Sequence, residues 1–123
     1  MIAGIGIDAV AISRMEKWIN DPSIMDHFFD GEEVGIINGR GAGRLRSLAA
    51  RFAAKEAFGK ALGTGLGGIT LRDIRVLNAV NEKPELNLRG TARKAVETRG
   101  ITRTHLSLTH EGDTAIAMVV LEA

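Results

Sequence analysis

The sequence predicts an α+β fold in which a small antiparallel sheet packs against one long central helix. Apolar residues alternate near both ends of the chain and around residue 75, as they do in strands. From Arg44 to Leu62 they recur every three or four positions, as in an amphipathic helix. The length of 123 residues suits one compact domain, so we expect a single domain spanning residues 1–123.

The first part of the chain predicts one strand followed by short helices. "IAGIGID" (2–8) alternates with a period of two and ends at Asp8. Three later positions have the pattern of a helix start, and these are Ser13 with Glu16 as a capping box, Asp21 before Pro22, and Asp30 with Glu33. We expect the first of these helices to end near Ile19, and the glycine-rich residues 38–43 to form a loop.

The second part predicts the long helix, two hairpins and one more helix. Gly63 is the expected stop of the helix that begins at Arg44. "DIRVLNAV" (73–80) and "ELNLR" (85–89) are predicted strands joined by the turn "NEKP". A helix is expected from Thr91 to Arg99, and "THLSLTH" and "TAIAMVVLE" alternate around "HEGD" as a final antiparallel hairpin.

Composition and charge exclude several classes of protein. The formal net charge is +1, from 16 Lys and Arg against 15 Asp and Glu, which does not suggest a protein that coats nucleic acid. There is no cysteine, so disulfides and thiolate chemistry are excluded. No segment approaches the roughly 20 apolar residues of a membrane span, and no cationic leader precedes Asp8. A cytoplasmic protein is expected.

Two carboxylates stand out as candidate metal ligands. Glu56 lies four residues after Phe52 and therefore shares the apolar stripe of the long helix. It is either the partner of Lys60 in an intrahelical ion pair, worth about 0.3 to 0.5 kcal/mol when exposed, or a magnesium ligand. Asp8 ends a strand on the side left open by glycines. It is either a second magnesium ligand or a cap for the backbone that follows.

The long helix and the segment before it are strongly basic. This stretch has one acid, Glu56, against six cations, Arg40, Arg44, Arg46, Arg51, Lys55 and Lys60. The cations form either a solvated face or a site for a phosphate-rich ligand. The glycines of "GTGLGG" follow the helix and precede no Gly-Lys-Ser/Thr, so a Walker loop is not indicated. His105 and His110 are five residues apart on a predicted strand and point to opposite faces.

Three blocks resemble the holo-acyl-carrier-protein synthases, the short class of 4'-phosphopantetheinyl transferases. They are "GIGIDAVAISR" at the N-terminus, "RFAAKEAFGKALGTG" in the middle and "HLSLTH" near the end, and the resemblance spans essentially the whole chain. It implies the phosphopantetheinyl transferase fold. It also implies the magnesium-dependent transfer of 4'-phosphopantetheine from coenzyme A to a serine of an acyl carrier protein, which releases adenosine 3',5'-bisphosphate, a cytoplasmic step of fatty acid biosynthesis.

The resemblance also assigns roles to individual residues. Asp8 and Glu56 become magnesium ligands, and Lys60 lies near the coenzyme A diphosphate, so these three are the expected catalytic residues. Positions matching coenzyme A contacts are Arg51, His105 and the turn residues Asn81, Lys83 and Pro84, with Arg44 a candidate for the 3'-phosphate. Glu82 stands where the family usually has glycine. Whether Glu56 or a water on the metal takes the serine proton is left open.

The resemblance further implies partners. Carrier proteins are acidic, so the short helix with Arg14, Met15 and Trp18 is the expected docking site. Short members of the family are homotrimers with coenzyme A between subunits, which suggests that Asp8 and His105 come from one subunit and Glu56 and Lys60 from its neighbour. Two alternatives remain: a basic RNA- or anion-binding module without catalysis, and a non-catalytic trimer that only holds coenzyme A.

Overall fold

The computed structural model describes all residues from Met1 to Ala123. It contains five strands, which are β1 (Ile2–Ala11), β2 (Ile74–Asn78), β3 (Pro84–Leu88), β4 (Arg103–Glu111) and β5 (Thr114–Glu122). It contains five α-helices, which are α1 (Glu16–Ile19), α2 (Pro22–Phe28), α3 (Gly31–Asn38), α4 (Arg44–Leu62) and α5 (Gly90–Thr98). Short 3₁₀ turns precede α1, α4 and β2. The predicted α+β class is confirmed.

The strands form two antiparallel sheets rather than one. β1, β5 and β4 are hydrogen-bonded in that order, and β2 pairs with β3 as a separate hairpin that lies beside β4. Helix α4 packs across β1 and β5, and a cluster of 23 buried apolar residues fills the space between the layers. The long helix therefore has the central place predicted from its periodicity.

Glycines in β1 allow α4 to lie directly on the strand. A β-carbon on Gly4 would fall 1.9 Å from the carbonyl oxygen of Ala61, and one on Gly6 would fall 1.9 Å from that of Ala57. The side of β1 that its glycines leave without side chains is thus covered by helix backbone. Asp8 follows on the same face, so its side chain lies at the α4–β1 contact.

Two of the three predicted helix starts are confirmed. Asp21 accepts hydrogen bonds from the backbone of the first turn of α2, and Asp30 forms a reciprocal capping box with Glu33 at α3. The capping box predicted at Ser13 is wrong, although the segment is helical. Ser13 donates from its backbone and its hydroxyl to Asp113, at 2.9 and 2.6 Å, and so fastens the segment to the β4–β5 turn.

The centre of the protein contains a buried ion pair. Lys55 Nζ lies 2.7 Å from Glu33 Oε1, and both side chains are completely buried. The ammonium also donates to the carbonyl oxygens of Leu71 and Ile74, while Glu33 Oε2 accepts from the amide of Val76 at 3.1 Å. Burial raises the pKa of Glu33 and lowers that of Lys55, and each partner's charge opposes the other's shift. The pair joins α3, α4 and β2.

Candidate active site

Asp8 and Lys60 meet at the edge of the α4–β1 contact. Lys60 Nζ donates to Asp8 Oδ1 at 2.9 Å and to the carbonyl oxygen of Ile7 at 3.0 Å. The Asp8 side chain is 17% exposed and that of Lys60 is 54% exposed, so solvent reaches both. The helix and the strand thus bring together two residues that are far apart in the sequence.

Glu56 lies one turn before Lys60 on α4 and is half-buried. Its carboxylate makes no hydrogen bond or ion pair within the chain, so the intrahelical pair with Lys60 is wrong. The ammonium bonds Asp8 on the neighbouring strand instead. Helix α4 and strand β1 of one chain therefore carry two carboxylates and a lysine, and one of those carboxylates is without a partner.

The donor set at this place suits a magnesium ion. Magnesium is usually held by one or two protein carboxylates, with waters and substrate phosphate oxygens supplying the rest. Asp8 and Glu56 are two such carboxylates, and the structure has no cluster of three or more His, Cys, Asp or Glu that would hold an ion by itself. Asp8 and Glu56 are therefore the residues that could hold such an ion.

Arg51 is a buried cation without a carboxylate partner. Only 4% of the residue is exposed, and its guanidinium donates to Ser47 Oγ at 2.7 Å and to Asn78 Oδ1 at 3.1 Å. Its Nε has no partner. Burial lowers the pKa of Arg51; the charge of Glu33 opposes this shift and that of Arg40 adds to it. A bound anion would compensate this charge.

A basic cavity of about 450 Å³ lies beside Arg51, between the first turns of α4 and the end of β4. It contains no acid, and its polar lining includes Arg40, Arg46, Ser47, Arg51 and His110. Arg46 and His110 approach within 3.4 Å. The sequence indicated both arginines as members of a basic segment, but it gave no signal that His110 folds back against them.

Arg44 is not part of this cavity. It is exposed at the start of α4 and lines a separate hollow of about 310 Å³ next to Glu16 and Asn20. Arg46, two residues later, lines the cavity beside Arg51 instead. Among the arginines of this segment, Arg46 and Arg40 therefore lie closer to the predicted coenzyme A contacts than Arg44 does.

The turn between β2 and β3 and the start of β4 form a third concave surface. One cavity of about 390 Å³ is lined by Lys83, Pro84 and His105 together. Asn81 Oδ1 accepts from the amide of Lys83 at 3.1 Å, which shapes the turn. Glu82 has a φ of 63°, a left-handed conformation that favours glycine.

His105 and Asp8 lie on opposite faces of the three-stranded sheet. His105 is opposite Val120, which is opposite Ile5, whereas Asp8 is opposite Ala117 on the face covered by α4. His105 Nε2 lies 2.9 Å from Glu122 Oε1, and this contact, together with the charge of Arg103, lowers the pKa of Glu122.

The expected division of the site between subunits is therefore wrong for Asp8. It meets Lys60 within one chain, and Glu56 lies on the same helix as Lys60. His105 is the exception, because within one chain it lies on the other face of the sheet from Asp8.

The basic segment does not form one charged face. Lys55 is enclosed with Glu33, Arg51 is buried, and Lys60 is bonded to Asp8. The exposed cations that remain are Arg40, Arg44 and Arg46. The cations of this segment therefore do not form one solvated face along the helix.

The proposed docking helix has one exposed face and one buried one. Arg14 is exposed and stands over the Trp18 ring, with its guanidinium carbon 5.4 Å from the ring centre. Trp18 is half-buried and stacks on Phe28 at 5.0 Å. Met15 is completely buried in the core, so its prediction as a docking contact is wrong. Side chains on one turn of helix point in different directions, and Met15 points inward.

No helix of the protein combines the length and apolar character needed to cross a bilayer. The fold and this site together define a class: a small α+β protein with two carboxylates and a lysine on adjoining elements and with basic cavities suited to an anionic ligand. A comparison with known families identifies the family to which the chain belongs. The model of the 4'-phosphopantetheinyl transferase superfamily matches residues 4–119, and the chain belongs to this family.

Individual relatives agree along the whole chain. The protein is 53% identical over 122 residues to the holo-[acyl-carrier-protein] synthase of Treponema denticola, covering 99% of both chains. Among solved structures, the holo-[acyl-carrier-protein] synthase of Neisseria meningitidis superposes with a TM-score of 0.90 at 36% identity, covering 100% of both chains. That of Bacillus anthracis, in complex with CoA (3',5'-ADP), gives 0.82 at 35% identity and covers 100% of this chain and 98% of that one. The predicted family, fold and enzyme class are confirmed.

Proposed function

We propose that this protein is a holo-acyl-carrier-protein synthase. It transfers 4'-phosphopantetheine from coenzyme A to a serine hydroxyl of an apo carrier protein and releases adenosine 3',5'-bisphosphate. The observation that carries the proposal is the contact between Asp8 and Lys60, with the unpartnered Glu56 one turn before Lys60 on α4, in a chain that is similar end to end to such synthases. The relative from Bacillus anthracis is described in complex with CoA (3',5'-ADP), which supports coenzyme A as the co-substrate.

Different groups of residues are proposed to bind different parts of coenzyme A. Asp8 and Glu56 would hold magnesium, which when bound neutralises charge on the diphosphate. Lys60 is placed to donate to a diphosphate oxygen, because its ammonium is half-exposed beside Asp8. Arg51, Arg46 and their cavity suit the 3'-phosphate. Lys83, Pro84 and His105 line a separate cavity, which we assign to the adenosine end.

Transfer then depends mainly on position and charge. The serine oxygen bonds to the phosphorus that carries pantetheine, while the bond from that phosphorus to the adenosine bisphosphate breaks. Cations that hold the diphosphate stabilise the leaving group, as Lys60 and the arginines are placed to do. The serine proton leaves in the same step. Its acceptor is either Glu56 or a water molecule bound to the metal.

We also propose that the protein acts as a homotrimer of single-domain chains. The outer face of the three-stranded sheet carries exposed apolar side chains, with Ile5 63%, Ile7 58% and Met118 42% exposed. A second copy of the chain is the occupant that this face suits, because exposed apolar strand residues of this kind mark interfaces. His105 lies on the same face, so association would carry it toward a neighbouring copy. Dilution to monomers should then abolish transfer.

The carrier protein is proposed to dock at the helix with Arg14 and Trp18. Arg14 gives positive charge for an acidic partner, and the edge of Trp18 gives apolar area. Arg14→Glu should weaken carrier binding and leave coenzyme A binding unchanged.

The cytoplasmic location and the role in fatty acid biosynthesis remain predictions from the sequence.

The proposal is tested by mass spectrometry of an apo carrier protein incubated with the protein, coenzyme A and magnesium. The carrier should gain the mass of one phosphopantetheine group, and a carrier whose acceptor serine is replaced by alanine should gain none. No mass gain across several apo carriers would contradict the proposal. It would then favour a module that only binds coenzyme A or another anion.

A further inference from the structure

Lys60 occupies the carboxylate that we assign to the metal. Two of the three donor hydrogens of its ammonium are used, one by Asp8 Oδ1 at 2.9 Å and one by the carbonyl oxygen of Ile7 at 3.0 Å. Both acceptors lie on β1. The Lys60 ammonium is therefore hydrogen-bonded to the strand. It does not point along its own helix toward Glu56, one turn away.

The contact between the Lys60 ammonium and Asp8 is easily broken. The Lys60 side chain is 54% exposed, and ion pairs in contact with water contribute little because hydration replaces most of what is lost. Its long, flexible stem lets the ammonium move while α4 stays in place. Asp8 is fixed more firmly, because its strand is packed on the helix backbone through Gly4 and Gly6.

An ammonium and a divalent cation at Asp8 repel each other. With both at the same carboxylate, the two cations would lie only a few ångströms apart and would share its single negative charge. A cation that arrives alone must therefore compete with Lys60 for Asp8. A diphosphate changes this balance, since its oxygens give the displaced ammonium a new acceptor and give the cation further ligands.

We propose that Lys60 couples the binding of the divalent cation to the binding of the diphosphate. It stays on Asp8 until a diphosphate receives its ammonium, so each ligand strengthens the binding of the other by the same factor. Glu56, which has no partner, adds the second carboxylate without needing to be released. This inference rests on the proposed function, because it takes Asp8 and Glu56 as the metal ligands.

The test measures Mn²⁺ binding to the full-length protein by electron paramagnetic resonance of the free ion. Coenzyme A supplies the diphosphate, and adenosine 3',5'-bisphosphate serves as the matched ligand without one. For the unaltered protein, coenzyme A should tighten Mn²⁺ binding by about 5- to 150-fold, the usual range of coupling between sites. Adenosine 3',5'-bisphosphate should have little effect.

In the Lys60→Met variant, the binding of Mn²⁺ should depend less on the binding of coenzyme A. Without the competing ammonium, Mn²⁺ alone should bind about two- to fivefold more tightly, as expected from the strength of an exposed pair. The effect of coenzyme A should fall by at least the same factor. Lys94→Met, which removes the same charge from exposed helix α5, should behave like the unaltered protein. Asp8→Asn should remove Mn²⁺ binding.

The outcomes distinguish the inference from the function beneath it. If Lys60→Met binds Mn²⁺ alone no more tightly, or if coenzyme A strengthens its Mn²⁺ binding as much as before, the coupling role of Lys60 is overturned while the metal site stands. If the unaltered protein does not bind Mn²⁺ even with coenzyme A, the proposed metal site is itself overturned, and this inference with it.

Discussion

Helix α4 carries two lysine–carboxylate pairs five residues apart, and they differ in almost every physical respect. Lys55 and Glu33 are completely buried, and the ammonium donates to three acceptors. Lys60 and Asp8 are 54% and 17% exposed, and the ammonium has one donor hydrogen free. The same two functional groups thus form a fixed tie inside the protein and an exchangeable contact at its surface.

The difference follows from what each pair would lose on opening. Separating Lys55 from Glu33 leaves a charge without water or a partner, which is one of the most costly changes in a protein interior. Separating Lys60 from Asp8 leaves both groups in contact with solvent. We infer that the first pair holds α3, α4 and β2 in position, while the second is free to respond to a ligand.

The largest effect is expected from removing one charge of the buried pair. Glu33→Gln keeps the shape of the side chain but leaves Lys55 without a counter-ion, so the free energy of unfolding should fall by about 3 to 5 kcal/mol. Urea unfolding measures the change. Asp8→Asn, the same substitution at the exposed pair, should cost less than about 1 kcal/mol. Equal losses at the two positions would contradict the comparison.

A smaller loss is expected where α4 rests on β1. Gly6→Ala places a methyl group 1.9 Å from the carbonyl oxygen of Ala57, so the helix and the strand must separate. The free energy of unfolding should fall by about 1 to 3 kcal/mol. Gly35→Ala in α3, where nothing lies within 4 Å, should instead stabilise by about 0.5 to 1 kcal/mol. Thermal unfolding of both variants checks the contrast.

Much of the fold follows from the sequence because it depends on local rules. The period of α4, its stop at Gly63 with φ of 81° and the capping box of Asp30 and Glu33 were all predicted from neighbouring residues. Ser13 shows where such rules fail. It has the spacing of a cap, but Asp113 lies 100 positions away in the sequence and takes both of its donors.

The site was predictable in part for the same reason. Motif resemblance named Asp8, Glu56 and Lys60, but no local rule pairs Lys60 with a strand 52 residues away in preference to Glu56 on its own helix. Lys55 appeared as one cation among six because its partner, Glu33, is 22 residues away. Contacts across elements decide which of these charges are available to a ligand, and periodicity does not encode them.

A further prediction concerns the strained turn beside the cavity that is lined by Lys83, Pro84 and His105. Glu82 adopts a φ of 63°, so Glu82→Gly should relieve strain and raise the free energy of unfolding by up to about 1 kcal/mol. Glu85→Gly on the extended strand β3 should lower it by about 0.5 to 1 kcal/mol, since glycine there only adds freedom to the unfolded chain. Urea unfolding distinguishes the two signs. A lower free energy of unfolding in Glu82→Gly would contradict the conclusion that Glu82 strains the turn.

The smallest predicted effect is on acid stability. Burial acts to raise the pKa of Asp73, but hydrogen bonds from the Thr91 hydroxyl and amide and the charges of Arg89 and Arg72 lower it below 3.8. The stability from this carboxylate is therefore fully present above pH 3.8 and is lost as the pH falls through the lower folded-state pKa.

Asp73→Asn should remove this part of the acid dependence. Thr91→Val, which keeps the amide donor but not the hydroxyl, should give an intermediate slope. Urea unfolding between pH 5 and pH 2 measures all three proteins. An Asp73→Asn slope equal to that of the unaltered protein would contradict the lowered pKa.

Transfer by the Asp8→Asn variant tests most directly whether the exposed pair belongs to the active site. With coenzyme A, magnesium and an apo carrier, mass spectrometry should show the rate of phosphopantetheine transfer falling by about 10²- to 10³-fold, with the melting temperature nearly unchanged. Asp26→Asn, the same change at an exposed acid on α2, should transfer at the original rate. Transfer by Asp8→Asn at the rate of the unaltered protein would contradict the role of this pair in the reaction.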